Sequence, residues 1–264
     1  MSSAASFSGS IPAFYDSQLG PVLFEPYASD LVARVPRRER LRVLELACGS
    51  GIVTRRLRET LPASATLVAT DLNDAMVDYA RRAVPGEIEW RQADAQALPF
   101  DDGSFDVVVC QFGFMFLPDK PLGFREARRV LEPGGSLLGN VWSPLAQNPA
   151  VEAVHDKLAE LFPDDPPRFF ETPYGYDRER LRADVEQADW SGVILEEVRL
   201  DGESPSAAEY TLGFVRGSPL SHELAERGAD VDEVHEAVTG AAAAVGGDRP
   251  LRAEQAAIVI TAVR

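Results

Sequence analysis

Apolar residues along the chain fall into short, nearly continuous runs, separated by longer stretches in which they recur every three or four positions. The runs lie at 41–46, 66–70, 88–92, 105–110 and 136–141. A strand that is apolar on both faces has to be covered on both faces, so this alternation predicts a parallel sheet between layers of helices. Helices are expected between the runs at 52–60, 75–84 and 121–131, the last with Phe124, Ala127 and Leu131 along one side. Pro133, Gly134 and Gly135 are expected to turn the chain into the fifth strand.

Both flanks depart from the alternation. Residues 2–10 are mostly Ser and Ala, which predicts a disordered tail over 1–10. Over 11–36, Leu23, Phe24, Tyr27, Leu31 and Val35 recur at helical spacing and predict an amphipathic N-terminal helix with an aromatic-bearing loop ahead of it. Past Trp142 the pattern gives a helix at 148–162, a Pro-rich aromatic loop at 163–176, a helix at 177–188 and a strand at 193–200. Helices broken near Gly217 and Gly228 fill 206–245, and a last apolar run covers 257–263.

Composition narrows the partners. A chain of 264 residues is long enough to bury a sizeable core in one large domain or two small ones. A formal net charge of -16 argues against nucleic-acid or anionic-membrane partners, because phosphates are repelled at long range. The two cysteines, Cys48 and Cys110, fall at expected strand ends, so neither a disulfide framework nor a metal site is predicted, and a reducing compartment fits. With no run of membrane-spanning length and no signal-peptide pattern at 1–10, the expected location is cytoplasmic.

The stretch V-L-E-L-A-C-G-S-G at 43–51 carries the chemistry. A strand runs into a turn in which Gly49 and Gly51 leave no side chain between the backbone amides and a ligand, and the helix at 52–60 aims its N-terminal dipole at the same place. Asp71 ends the second strand twenty residues after Gly51, where a carboxylate can accept from both hydroxyls of a ribose. Dinucleotide-binding folds share these features, but their third glycine is replaced here by Thr54.

The ordered set E-L-A-C-G-S-G, D-L-N at 71–73, Asp94 in Q-A-D-A-Q-A-L-P-F, S-F-D-V-V-V and L-E-P-G-G resembles the class I S-adenosylmethionine (SAM) dependent methyltransferases. Within that class the pattern is similar to the ubiquinone and menaquinone C-methyltransferases and to natural-product O- and N-methyltransferases. The resemblance implies an α/β fold with a seven-stranded, mostly parallel sheet between helices. It also implies one methyltransferase domain over 37–264, helical cap segments at 148–176 and 206–245, and a lid over 11–36. SAM is the implied cofactor and S-adenosylhomocysteine (SAH) the product. Asp94 would accept from the adenine amino group and the Ala95 amide donate to a ring nitrogen, with Leu72 and Met76 against the adenine faces. Ala47 belongs to the loop beneath the cofactor, Glu45 would orient that loop and reach the methionine ammonium, and Gln111 would offer it a main-chain carbonyl. Tyr15, beside Phe14, would close over the methionine end.

Methyl transfer from a sulfonium is an in-line displacement, so alignment and exclusion of water are essential and a base is optional. Of the three histidines, His155, His222 and His235, His155 is the candidate base because it follows the fifth strand. Phe14, Phe112, Phe116, Trp142, Phe170 and Tyr174 are expected to line an apolar pocket for a small-molecule acceptor. Two rivals stand beside this: a catalytically silent SAM-binding protein keeps every motif above, and an NAD(P)-dependent oxidoreductase would need a Tyr-x-x-x-Lys pair that the chain lacks.

Overall fold

A computed structural model describes residues 14–264; the expected tail at 1–10 and the start of the N-terminal segment, 11–13, lie outside the described residues. The strands are β1 (Arg42–Glu45), β2 (Thr66–Asp71), β3 (Glu89–Gln92), β4 (Phe105–Gln111), β5 (Leu131–Trp142), β6 (Gly192–Ser204) and β7 (Leu251–Val263). They form a seven-stranded sheet in the order β3-β2-β1-β4-β5-β7-β6. β1 to β5 pair in parallel, while β7 runs antiparallel to both β5 and β6. Chain order therefore runs outward from β1 to β3 and then restarts at β4 on the other side of β1. The reversal lies past the carboxyl ends of β1 and β4, which is where open α/β sheets bind ligands.

The central strands are buried on both faces, with Val43, Leu44, Val108 and Val109 fully enclosed. Helices α2 (Ile52–Thr60), α3 (Asp74–Ala83) and α4 (Lys120–Val130) alternate with them. The apolar side of α4 is completely buried at Phe124 and Ala127, and Asp119 caps its start by accepting from the Leu122 amide. β3 is the exception among the strands expected to be covered on both faces. As the sheet edge it leaves Glu89, Arg91 and Gln92 exposed.

Two expected loops are ordered differently. Pro133-Gly134-Gly135 does not precede the fifth strand but lies within it: Phe105 pairs with Leu131 and Val107 with Ser136, so five residues of β5 are accommodated against two of β4 as a bulge. At the N-terminus the aromatic-bearing loop is helical. Tyr15–Phe24 forms a π-helix that contains Pro21 and continues into α1 (Glu25–Ala33). Tyr27, completely buried, donates its hydroxyl to the Val198 and Gln255 carbonyls at 3.0 Å each, which fixes α1 across β6 and β7.

The remaining helices are α5 (Pro149–Leu161), α6 (Arg178–Glu186), α7 (Ala207–Gly217), α8 (Leu220–Glu226) and α9 (Val231–Gly246). Packing links α9 to α5 and α7, and α7 to the π-helix. At the last of these junctions the Leu19 side chain packs directly on the α7 backbone, since a Cβ on Gly213 would lie 2.5 Å from Leu19 Cδ2. Helix α7 thus rests directly on the N-terminal segment. No helix among the described residues is long and apolar enough to cross a membrane.

Candidate functional site

The turn after β1 is built from left-handed backbone: φ is +52° at Ala47, +54° at Gly49 and +88° at Gly51. Its two glycines do different things. Gly49 faces a cleft lined also by Asp71 and Asp94, with open space where a side chain would project. Gly51 lies off the cavity linings: a Cβ there would sit 2.7 Å from Val84 Cγ2, so it admits close packing of the start of α2 against α3. Gly51, expected on the ligand side of the turn, packs against Ala80 and Val84. The positive φ of Ala47 carries no sequence signal, because Ala rarely adopts it.

Asp71, at the end of β2, is almost fully buried. Its Oδ2 accepts from the Gly49 amide at 2.9 Å and its Oδ1 from the Asn73 amide at 2.8 Å. Burial raises its pKa against the lowering effect of these bonds. The same carboxylate therefore sets the glycine loop and faces the cleft.

That cleft is open to solvent and has a cavity volume of about 140 Å³. The β1 turn contributes Ala47 and Gly49 to it; the end of β2 and start of α3 contribute Asp71, Leu72, Asn73 and Met76. The loop after β3 brings Asp94, Ala95 and Gln96, and the end of β4 brings Gln111 and Phe112. Tyr15 closes it from the π-helix. Asp94 Oδ1 accepts from the Gln96 amide at 2.8 Å, and its Oδ2 has no protein partner among the described residues. Asn73 and Gln96 escape a residue-by-residue reading, although each stands two positions after one of the two cleft aspartates.

A smaller cavity opens behind the glycine loop, with Glu45, Gln111, Tyr15 and Phe24 on its walls. Glu45 Oε2 and Gln111 Oε1 are both buried without a hydrogen-bond partner. Burial pushes the Glu45 carboxyl up to about 8; Thr54 lowers it and the Asp71 charge adds to the rise. Two orphaned acceptors in one enclosed space fit a small cationic donor group such as an ammonium.

The third cavity is aromatic and shares Tyr15, Phe112 and Phe116 with the cleft. Phe112 lies flat on Trp142, with centroids 3.8 Å apart and planes at 11°, and Tyr174 stacks on Trp142 at 5.8 Å. Phe112 holds a φ of +52°, kept in place by its amide, which donates to both the carbonyl and Oδ1 of Asn140 at 3.1 and 3.0 Å. A bulky residue in this conformation, at the wall between two cavities, is strain placed where it shapes a site.

Not every expected pocket residue reaches this cavity. Phe170 is 1% exposed and packs edge-on against Phe214 at 5.3 Å, within the core. Phe14 packs against α7 near Gly217 rather than lining any of the three cavities. His155, on α5, lines none of them either; its ring stands 6.1 Å from that of Phe170 and its buried Nδ1 has no partner. Sequence reasoning missed Leu23 and Phe214 on the aromatic lining, since core and lining look alike in an apolar helix.

A methyltransferase domain family matches residues 44–139, the segment that builds β1 to β5 and the cleft. With the sheet order and the glycine loop at its reversal point, this segment has the architecture of a class I SAM-dependent methyltransferase domain. The ubiquinone/menaquinone biosynthesis C-methyltransferase UbiE of Idiomarina loihiensis is 39% identical over 106 residues, which cover 38% of this chain and 42% of that protein. The chain thus spans less than half the length of this curated relative. Among solved structures, protein BH2331 of Bacillus halodurans superposes with a TM-score of 0.58 at 19% identity, covering 89% of this chain and 97% of its own. Haemonchus contortus phosphoethanolamine N-methyltransferase 2, solved with phosphomonomethylethanolamine and SAH, gives 0.61 at 16% identity over 96% of this chain and 56% of its own. These two likenesses concern the fold.

Proposed function

We propose that the protein transfers a methyl group from SAM to an O, N or C atom of a small hydrophobic or aromatic molecule and releases SAH. One observation carries this: the polar cleft and the aromatic cavity meet at a shared wall of Tyr15, Phe112 and Phe116. A donor in the first and an acceptor in the second would face each other across it.

In this reading Asp71 accepts from the ribose hydroxyls, while Asp94 and the Ala95 amide take the adenine edge and Leu72 and Met76 its faces. Glu45 and Gln111 receive the methionine ammonium. SAM, when bound, supplies the electrophilic methyl on a sulfonium that becomes a neutral thioether. The chain supplies alignment and dryness: Phe112, Trp142 and Tyr174 orient the acceptor ring, and the N-terminal segment acts as a lid through Tyr15. The free, buried thiols of Cys48 and Cys110 support a cytoplasmic, reducing location.

Calorimetric titration with SAH tests the donor site without knowledge of the acceptor. Micromolar affinity, about -8 kcal/mol, is expected. Asp71→Asn and Asp94→Ala should each weaken it by about tenfold or more, since each removes a charged acceptor. Absence of binding at millimolar SAH in folded, ligand-free protein would defeat the proposal.

A further inference from the structure

Resting on that donor assignment, the aromatic cavity narrows the acceptor. Its polar side chains are Tyr15, Tyr174, Ser218 and the indole N–H of Trp142, and no acidic, basic or thiol side chain lines it among the described residues. Ser218 is already engaged: its hydroxyl donates to the Phe214 carbonyl at 2.7 Å and accepts from the Leu220 amide at 3.2 Å. Burial pushes the phenols of Tyr15 and Tyr174 far above their ordinary values, Asp71 and Asp16 adding to the rise at Tyr15 and neighbouring tyrosines at Tyr174, so both remain donors. Residues 1–13 contain no acidic, basic or thiol side chain. Besides Tyr15, the ionisable groups of the adjoining cavities are Glu45, Cys48, Asp71 and Asp94, and no Lys, Arg or His among the described residues lines any of the three.

We propose that the acceptor is an uncharged flat ring system carrying its own acidic hydroxyl, a phenol or enol that ionises near neutrality, and that the protein contributes no base to the transfer. A carboxylate or phosphate ester would enter a cavity with no cation to meet it. An amine would acquire a positive charge on methylation with no carboxylate on the lining to hold it. A phenol avoids both costs: unlike a carboxylate it can enter uncharged, and only the oxygen that faces the sulfonium ionises, so that anion and sulfonium cancel as the ether forms. The hydroxyl proton leaves to solvent first. An oxygen lone pair then forms the O–CH3 bond as the CH3–S bond breaks, and sulfur keeps that electron pair. An ether and SAH result, both uncharged at the reacting atoms. The stack of Phe112, Trp142 and Tyr174 suits a planar ring, and the Tyr174 hydroxyl, with no hydrogen-bond partner among the described residues, is a donor for an oxygen upon it.

The test has a binding arm and a kinetic arm, both on the full chain. SAH titration comes first, and its failure would remove the donor assignment itself, and this proposal with it. On SAH-saturated protein, 4-nitrophenol and 4-nitrobenzoate are compared by equilibrium dialysis. In buffer acid enough to keep the phenol un-ionised, it is expected to bind about tenfold tighter than the carboxylate, and Tyr174→Phe to weaken it about fivefold with SAH affinity unchanged; with SAM in place of SAH, 4-nitroaniline is expected to give no methylated product. With SAM, the pH midpoint of kcat/KM across ring-substituted phenols should move one-for-one with the pKa of each phenol. Equal binding of phenol and carboxylate, absence of phenol binding, a methylated aniline, or a midpoint that stays fixed across the series and so reports a protein base, would overturn the proposal.

Discussion

Ser50 Oγ donates a hydrogen bond to Asp16 Oδ1 at 2.9 Å, joining the glycine loop to the N-terminal π-helix. The Tyr79 hydroxyl, on α3, donates to the other oxygen of the same carboxylate at 3.2 Å. One side chain thus holds together the loop, α3 and the segment whose next-door residue, Tyr15, is on the wall of all three cavities.

Asp16→Ala should therefore loosen the N-terminal segment without unfolding the domain. Loss of a charged acceptor from a half-buried pair costs about 1 kcal/mol, or about fivefold in SAH affinity. Hydrogen exchange at 15–24 should accelerate while the melting temperature hardly moves. Unchanged affinity and exchange would show that α7 packing alone positions the segment.

Glu45 gives a pH signature with a definite sign. In the free protein burial raises its carboxyl from 4.5 to about 8, Thr54 opposing and Asp71 adding to the shift. A raised folded-state value means that the contribution to stability is full below pH 4.5, the unfolded value, and is lost as pH rises through about 8. Receiving an ammonium requires the carboxylate, so SAH binding should expel a proton below that value and tighten as pH rises toward it. Calorimetry near neutrality in buffers of different ionisation enthalpy should detect the proton, and Glu45→Gln should abolish both it and the stability slope. Proton-neutral binding in the parent would place the ammonium elsewhere.

The glycine pair separates folding from binding. Gly51→Ala combines φ of +88° with a Cβ 2.7 Å from Val84 and 3.1 Å from Ala80, and should destabilise by about 2–4 kcal/mol. Gly49→Ala meets nothing within 4 Å and should cost about 1 kcal/mol of stability, yet weaken SAH binding, because its methyl would enter the cleft. Denaturant melts and SAH titration of both variants check this; equal destabilisation would contradict the assigned division of roles.

The sheet and most helices were legible because burial on two faces leaves an uninterrupted apolar run, as at Val107, Val108 and Val109, and because breaks near Gly217 and Gly228 coincide with the helix ends observed. Asp71 and Asp94 stood out through their spacing from the glycine loop, and both reach the cleft. The π-helix did not stand out: Pro21 within Tyr15–Phe24 reads as a helix break, and the wider turn follows no 3.6-residue pattern. Nor did Asp16, whose partners Ser50 and Tyr79 are 34 and 63 positions away, a distance over which only the fold decides what meets. Phe170 and Trp142 look equally suited to a pocket in sequence. Packing divides them, sending one into the core beside His155 and the other onto the lining.

His155→Ala tests whether alignment suffices for the reaction. The imidazole stands edge-on to Phe170 at 6.1 Å and lines none of the three cavities, so it has no path to an acceptor held between Tyr174, Trp142 and the shared wall. Removing it leaves a small void beside a buried ring and should cost about 1–2 kcal/mol of stability by loss of packing. The kcat/KM for an accepted substrate should stay within about twofold of the parent, because the interactions made at the reacting atoms are unchanged. A fall of a hundredfold or more, with SAH affinity and folding intact, is the size expected for loss of a general base. It would mean that α5 carries His155 to the acceptor when both ligands are bound.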